Sequence, residues 1–194
     1  MNKRVDQRIR MTRSLLKDAL VRLMQQQHIS KISVSALCAA AGINRSTFYM
    51  HYTNQYDLLS KVEQEVMGNL ISYLERQDLN SSNPISGQVL TGILDYVKED
   101  VELFKALLSE NCDFDFQKNL LELAQMVSDQ VNETLDLRTQ EYVKTFGLNG
   151  VIAMLQKWMQ GGMVEPSAQM AEFILRVLYL GINGINGQEL RPGP

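Results

Sequence analysis

Four consecutive side chains, Asn44, Arg45, Ser46 and Thr47, offer hydrogen-bond donors and acceptors at the start of a short helical stretch. Arginine can pair bidentately with a guanine edge and asparagine with an adenine edge, whereas hydroxyl groups suit phosphate oxygens. Just upstream, Val34, Leu37, Cys38 and Ala41 fall on one helical stripe. Gly42 sits between the two stretches, where a tight turn needs a residue tolerant of positive φ. An amphipathic helix, a three-residue turn and a second helix led by polar side chains form the layout of a helix-turn-helix DNA reader. Ser33 and Asn44 are placed to cap the two helices, each offering a side-chain oxygen to an unsatisfied backbone N–H.

Charge is distributed as such a reader requires. The net charge of -3 conceals nine Lys and Arg against two Asp in residues 1–55, and ten basic against twenty acidic side chains thereafter. Affinity for a phosphate backbone grows with the counterions that Lys and Arg release, so the basic block belongs with the reader. Other chemistries lack their signatures. There is no Gly-rich phosphate loop and no Ser-His-Asp or Cys-His grouping, so catalysis is not expected, and no cofactor is called for. The two histidines, His28 and His51, have no metal-ligand spacing with each other or with Cys38 and Cys112. The cysteines lie far apart, which argues against a disulfide. Cys112 has no basic neighbour in sequence to favour a thiolate and a redox role.

The elements that must position the reader follow from periodicity. The 194 residues are 45% hydrophobic, enough to bury a real core in one helical body or two small domains. A first helix is predicted over 8–27, with Leu16, Ala19, Leu20 and Leu23 inward; its basic N-terminal arm (Lys3, Arg4, Arg8) is expected to order on DNA. Phe48 and Tyr52 are expected to brace the third helix from the core. A capping arrangement at Asn54 and Asp57 opens a fourth helix to about residue 77, striped by Leu58, Leu59, Val62, Val66, Leu70 and Leu74. The stretch 78–86, DLNSSNPIS, is the best linker signal. Helices are then predicted over 87–98, 100–109, 114–136, 140–160 and 166–183. Gly161 and Gly162 stop the fourth of these, and Pro166 fits the first turn of the last. The tail GQELRPGP is expected to be frayed. No window approaches the ~18–20 continuous apolar residues of a membrane span, and the first residues lack the apolar core of a secretory signal, so a cytoplasmic location without membrane contact is expected.

The segment SVSALCAAAGINRSTFYMHYTNQYDLL resembles the DNA-binding domain of the tetracycline-repressor (TetR) family of bacterial regulators. The match rests on Ala36 and Leu37, on Ala41-Gly42-Ile43 at the turn, on Thr47-Phe48-Tyr49 and Tyr52, and on Asp57-Leu58-Leu59. The run from Gly147 to Ile174 is similar to the last two helices of many members. The resemblance implies an all-α chain. A three-helix reader over 1–53 and a connecting helix over 54–77 lead to a helical ligand-binding and dimerisation domain over 78–194. It implies a homodimer through 140–160 and 166–183, a near-palindromic double-stranded operator, and release of a repressor by a small-molecule effector. Carried over by position, the DNA contacts are Ser33, Ser35, Asn44, Arg45, Ser46, Thr47, Tyr49 and His51. Phe104, Met126, Phe146 and Trp158 are large apolar groups expected to line a ligand pocket. Asp113 and Asp115 are expected to be exposed acids near a helix start. One departure is Gln55, where the family commonly has a phosphate-binding Lys; the helix N-terminus there is expected to attract phosphate in its stead. That loss leaves an alternative: a helical protein-interaction module or co-activator with a weakened reader.

Overall fold

No glycine or proline interrupts residues 3–24, and a helix once nucleated propagates through such a run. In the computed structural model, α1 spans Lys3–Met24. The basic arm expected to be disordered is therefore helical from Lys3 onward. The structure describes residues 3–77, 86–113, 115–128 and 136–181, with the side chains of 3–6 and 125–128 excepted. The linker signal at 78–85 and the C-terminal tail lie outside the described residues.

Past Met24 the chain does not continue the helix to residue 27 but turns, and a short 3₁₀ segment follows at Ile29–Lys31. His28 caps it, its Nδ1 accepting from the Ser30 N–H at 3.2 Å. Next comes α2, Val34–Ala41, capped as expected by Ser33, whose Oγ accepts from the Ala36 N–H at 3.1 Å. The helix ends on Gly42 at φ 67°, with the Ile43 N–H donating to the Cys38 carbonyl at 3.0 Å and the Gly42 N–H to the Ala39 carbonyl at 3.4 Å. This pair of bonds closes the helix and turns the chain sharply. The following helix, α3, has five residues, Arg45–Tyr49, and does not reach Tyr52. Helix α4, Gln55–Glu75, opens on the anticipated box: Asn54 Oδ1 accepts from the Asp57 N–H at 2.9 Å, and Asp57 Oδ2 reaches back to the Thr53 N–H at 2.8 Å.

The remaining helices are α5 (Gly87–Glu99), α6 (Val101–Leu107), α7 (Asp115–Ser128), α8 (Leu137–Gln160) and α9 (Ser167–Leu180). Among the described residues every regular element is helical. Helix α8 starts three residues before its predicted position because Asp136 caps it, accepting from the Thr139 N–H at 3.1 Å. Asp136 thus opens α8 and does not end α7. Gly161 and Gly162 close α8 as anticipated, with Gly162 at φ 83°. Pro166 has an extended ψ of 147° and precedes α9, so it is not part of its first turn.

The chain forms two compact units. The first is Met1–Gly68 with Ala106–Phe116, the second Asn69–Lys105 with Gln117–Pro194. The domain bounds that the resemblance implies put 106–116 in the second domain. Its place in the first unit follows from hydrogen bonds: the Ile29 N–H donates to the Asn111 carbonyl at 3.0 Å, and Asn111 Nδ2 donates to the Met24 carbonyl at 2.9 Å. The second of these satisfies a carbonyl left open where α1 ends, and the first an N–H at the start of the 3₁₀ segment. Within the first unit, α1 packs on α2 and α2 on α3. Leu16, Ala19, Leu20, Met24, Leu37, Phe48, Leu58 and Val66 are among its buried groups. In the second unit, Leu90 and Leu94 of α5, Leu155 and Trp158 of α8, and Met170, Ala171 and Ile174 of α9 form one apolar cluster. Each of the Leu, Ile and Met side chains, fully buried, contributes about 1.5–3 kcal/mol.

The turn at Gly42 yields a direct test. A Cβ there would meet no neighbour within 4 Å, so the backbone conformation alone penalises other residues. Gly42→Ala is expected to destabilise the chain by about 1–2 kcal/mol, with Gly42→Asn costing less because Asn tolerates this conformation. An unchanged thermal denaturation midpoint for Gly42→Ala would contradict the assignment.

Candidate nucleic-acid interface

Phe48 is the residue that orients the reader. Its ring is fully buried, edge-on to Tyr49 with centroids 5.6 Å apart and tilted against Tyr52 at 5.7 Å. With Phe48 and Tyr52 inward, as the sequence predicts, the rest of α3 faces outward. Asn44, Arg45, Ser46 and Tyr49 are exposed, and Thr47 and His51 are half-buried. Ser33 and Ser35 are exposed at the start of α2. The eight sequence-predicted contacts thus come from two neighbouring places: the first turn of α2, and α3 with its flanks. His51 lies in the turn after α3 and is not helical, because the His51 N–H bonds to the Phe48 carbonyl at 2.9 Å and ends the helix.

Asn44 departs from expectation in a useful way. It occupies the cap position of α3 with an extended backbone, yet its side chain makes no capping bond. Both its amide N–H₂ and its carbonyl oxygen are left for another partner, the pair of groups an adenine edge engages. Ser33 differs, because its oxygen already serves the Ala36 N–H. Its hydroxyl hydrogen remains a donor suited to phosphate.

Met50, which sequence reasoning passed over, is 80% exposed beside Tyr49. An apolar group at such a position can pack on a thymine methyl. The signal was present: with Phe48 and Tyr52 four apart on the inner face, the residue midway between them must point away. The N-terminus of α4, by contrast, is poorer for phosphate than expected. The Asp57 carboxylate accepts from both the N–H and the Oγ1 of Thr53 there, so negative charge already occupies that end. Positive charge comes instead from exposed Arg8, Arg10 and Arg13 on α1 and from Arg45. Arg22 has a structural task, donating to the Ala40 carbonyl at 2.8 Å and tying α1 to the end of α2.

A buried polar pair lies in the same unit. The Cys112 thiol donates to Glu63 Oε1 at 3.7 Å, and both groups are buried. Burial, reinforced by the Glu63 charge, pushes the Cys112 thiol up to about 12, so it remains a thiol at neutral pH. Burial likewise lifts the Glu63 carboxyl above its ordinary range, opposed by the Cys112 hydrogen bond and aided by Asp115 and Asp113. Nearby, Asp113 is half-buried and lies 3.8 Å from His28 Nε2, whereas Asp115 is exposed.

The second unit treats the four expected pocket residues differently. Trp158 is buried in the apolar cluster, with Nε1 donating to the Glu165 carbonyl at 3.1 Å. Phe104 is buried edge-on to Tyr96, and Phe146 is 82% exposed. The side chain of Met126 lies outside the described residues. An apolar cavity of about 140 Å³ exists in this unit, but Phe104, Phe146 and Trp158 do not line it; aliphatic groups do, Leu90, Ile93 and Leu155 among them. Branched aliphatic side chains leave gaps between crossing helices that flat rings fill, so ring size was a misleading guide.

Comparison with known proteins bears on family and fold. A family model described as bacterial regulatory proteins of the tetR family matches residues 16–62, and one described as a transcriptional regulator C-terminal region matches residues 86–179. The HTH-type transcriptional regulator AcrR of Shigella flexneri is 28% identical over 132 residues, 64% of this chain and 60% of that protein. The chain thus spans less than two thirds of that relative's length. A TetR transcriptional regulator from Streptococcus agalactiae superposes with a TM-score of 0.63 at 20% identity, covering 91% of this chain and 99% of that one. The regulator FadR from Bacillus subtilis, solved in complex with stearoyl-CoA, gives 0.61 at 17% identity, covering 87% and 98%. At these identities the two structures speak for the fold.

Glu63 supplies a pH-dependent prediction. A carboxyl whose value is raised by folding stabilises the fold while protonated, and that contribution is lost as pH rises through the raised value. Glu63→Gln keeps the shape and an acceptor but removes the charge. The variant is expected to melt higher than the parent at neutral pH, with the gain shrinking to nothing below about pH 4, where the carboxyl is protonated in both states. A difference independent of pH would contradict burial of the charge.

Proposed function

The chain belongs to the tetR family of bacterial regulatory proteins, and from that premise we propose that it is a sequence-specific DNA-binding regulator, a homodimeric repressor released from a near-palindromic operator by a small molecule. The observation that carries this reading is the geometry of α3: Phe48 locked inward, and Asn44, with no side-chain cap bond, and Arg45 outward on consecutive residues. In this reading Arg45 and Asn44 contact base edges, while Ser33, Ser35, Ser46, Thr47, Tyr49 and His51 hold phosphates. The concentration of basic side chains in residues 1–55 supports the same assignment.

One reader covers one half-site, so the protein acts as a dimer with readers about one helical turn apart, ~34–36 Å, or a multiple of it. Support comes from Leu137, Tyr142, Val143 and Phe146 on α8 and Leu178, Tyr179 and Leu180 on α9, large apolar groups that a lone chain leaves in water. The effector is held by the second unit and acts by binding the DNA-incompetent reader spacing more tightly. A differential of ~1–3 kcal/mol changes operator affinity by about 5-fold to 150-fold.

Two variants test the proposal. Arg45→Ala should cost about 1–3 kcal/mol on a preferred operator and flatten preference at the contacted base. In fluorescence titrations its affinity for a scrambled duplex should fall far less; an equal fall on both would make Arg45 a phosphate contact, and an unchanged affinity on both would favour the interaction-module alternative. Phe146→Glu should convert the dimer to a monomer in sedimentation, and an intact dimer would remove α8 from the interface.

A further inference from the structure

The apolar cavity of the second unit restricts what it can hold. Leu70 and Leu74 of α4, Ile93 of α5, Leu121 of α7, Ile152 of α8 and Leu178 of α9 all contribute to its wall. Among the described residues, every one that lines it is Leu, Ile, Val or Ala, with no polar side chain. A carboxylate, ammonium or phosphate seated there would surrender its water with no partner in exchange. A hydroxyl or amide would suffer a smaller penalty for the same reason. A hydrocarbon pays nothing of the kind and restores the dispersion contacts that the wall lacks.

Size narrows the class further. The cavity measures about 140 Å³, and a dry apolar cavity of about 150 Å³ is known to be enough to take up benzene. A long acyl chain on CoA, the ligand class of the FadR neighbour, exceeds that volume. We infer that the cavity binds a compact, uncharged hydrocarbon group of about the size of a benzene ring, and that this is the effector class of the proposed regulator. The effector half of this inference rests on the regulator reading. Leu70 and Leu74 give it a route, because they lie on α4, the same continuous helix that begins at Gln55 directly after the reader.

The test titrates the full chain with benzene and, separately, with benzylamine, its positively charged counterpart, reading thermal melting and affinity for a selected operator fragment. Benzene should raise the melting temperature saturably and bind at least about 100-fold more tightly than benzylamine, the ratio expected when an unpaired charge must be buried. It should also weaken operator binding by at least about 5-fold. Ala124→Leu intrudes on the cavity and should weaken benzene binding by about tenfold or more. No saturable benzene effect, equal binding of benzylamine, or unchanged affinity in a folded Ala124→Leu variant would overturn the site. Saturable benzene binding that leaves operator affinity unchanged would overturn the effector assignment. A chain with no sequence preference on DNA would instead overturn the regulator reading, and the two melting titrations would still decide the cavity's ligand class.

Discussion

Helix α3 has five residues, and an isolated helix needs roughly 12–15 to be even marginal in water. It therefore exists only because Phe48 is buried, and everything the reader presents depends on that one anchored ring. Burial of Phe48 sets the rotation of the helix, and rotation decides that Arg45, Ser46 and Tyr49 face outward. Gly42 sets the other angle. Its left-handed backbone lets α2 end in two successive N–H to carbonyl bonds and points the chain into α3 within three residues. The tie from Arg22 to the Ala40 carbonyl then fixes α2 against α1. A recognition element too short to stand alone is thus rigid through its neighbours.

The first unit is completed by a segment remote in sequence. Asn111 closes the end of α1 with its side chain and holds the 3₁₀ segment with its carbonyl, and Cys112 meets Glu63 of α4 in a buried contact. The buried carboxyl costs stability when ionised, and it is tolerated because the thiol gives it one donor. Residues 106–116 therefore share a folding unit with the reader although the chain reaches them through α5 and most of α6 of the second unit. Conformational change in either unit has three covalent routes, α4, α6 and the start of α7, along which to act.

How much was legible beforehand follows from the range of the interactions. Local signals served well. The caps at Ser33 and Asn54, the stop at Gly161 and Gly162, and the stripe of α4 each depend on residues within a turn of one another. Phe48 and Tyr52 were readable as core because an inward pair four residues apart leaves one consistent helix face. What depends on distant partners was hidden. Nothing near Asn111 announces that it will complete a helix eighty-seven residues away, and nothing near Phe146 distinguishes a pocket wall from a ring left on the surface. Asp136 is a third kind: its signal was local and was outweighed by assuming that α7 ran longer than it does.

The most direct measurement is selection from a random duplex pool by the purified chain, followed by sequencing of the bound fraction. A dimeric reader of the kind described here should enrich an inverted repeat whose half-site centres lie about one helical turn, or a multiple of it, apart. A bound fraction with no shared sequence, held only by salt-sensitive affinity, would contradict it, because exposed Asn44 and Arg45 side chains would then be serving phosphate alone.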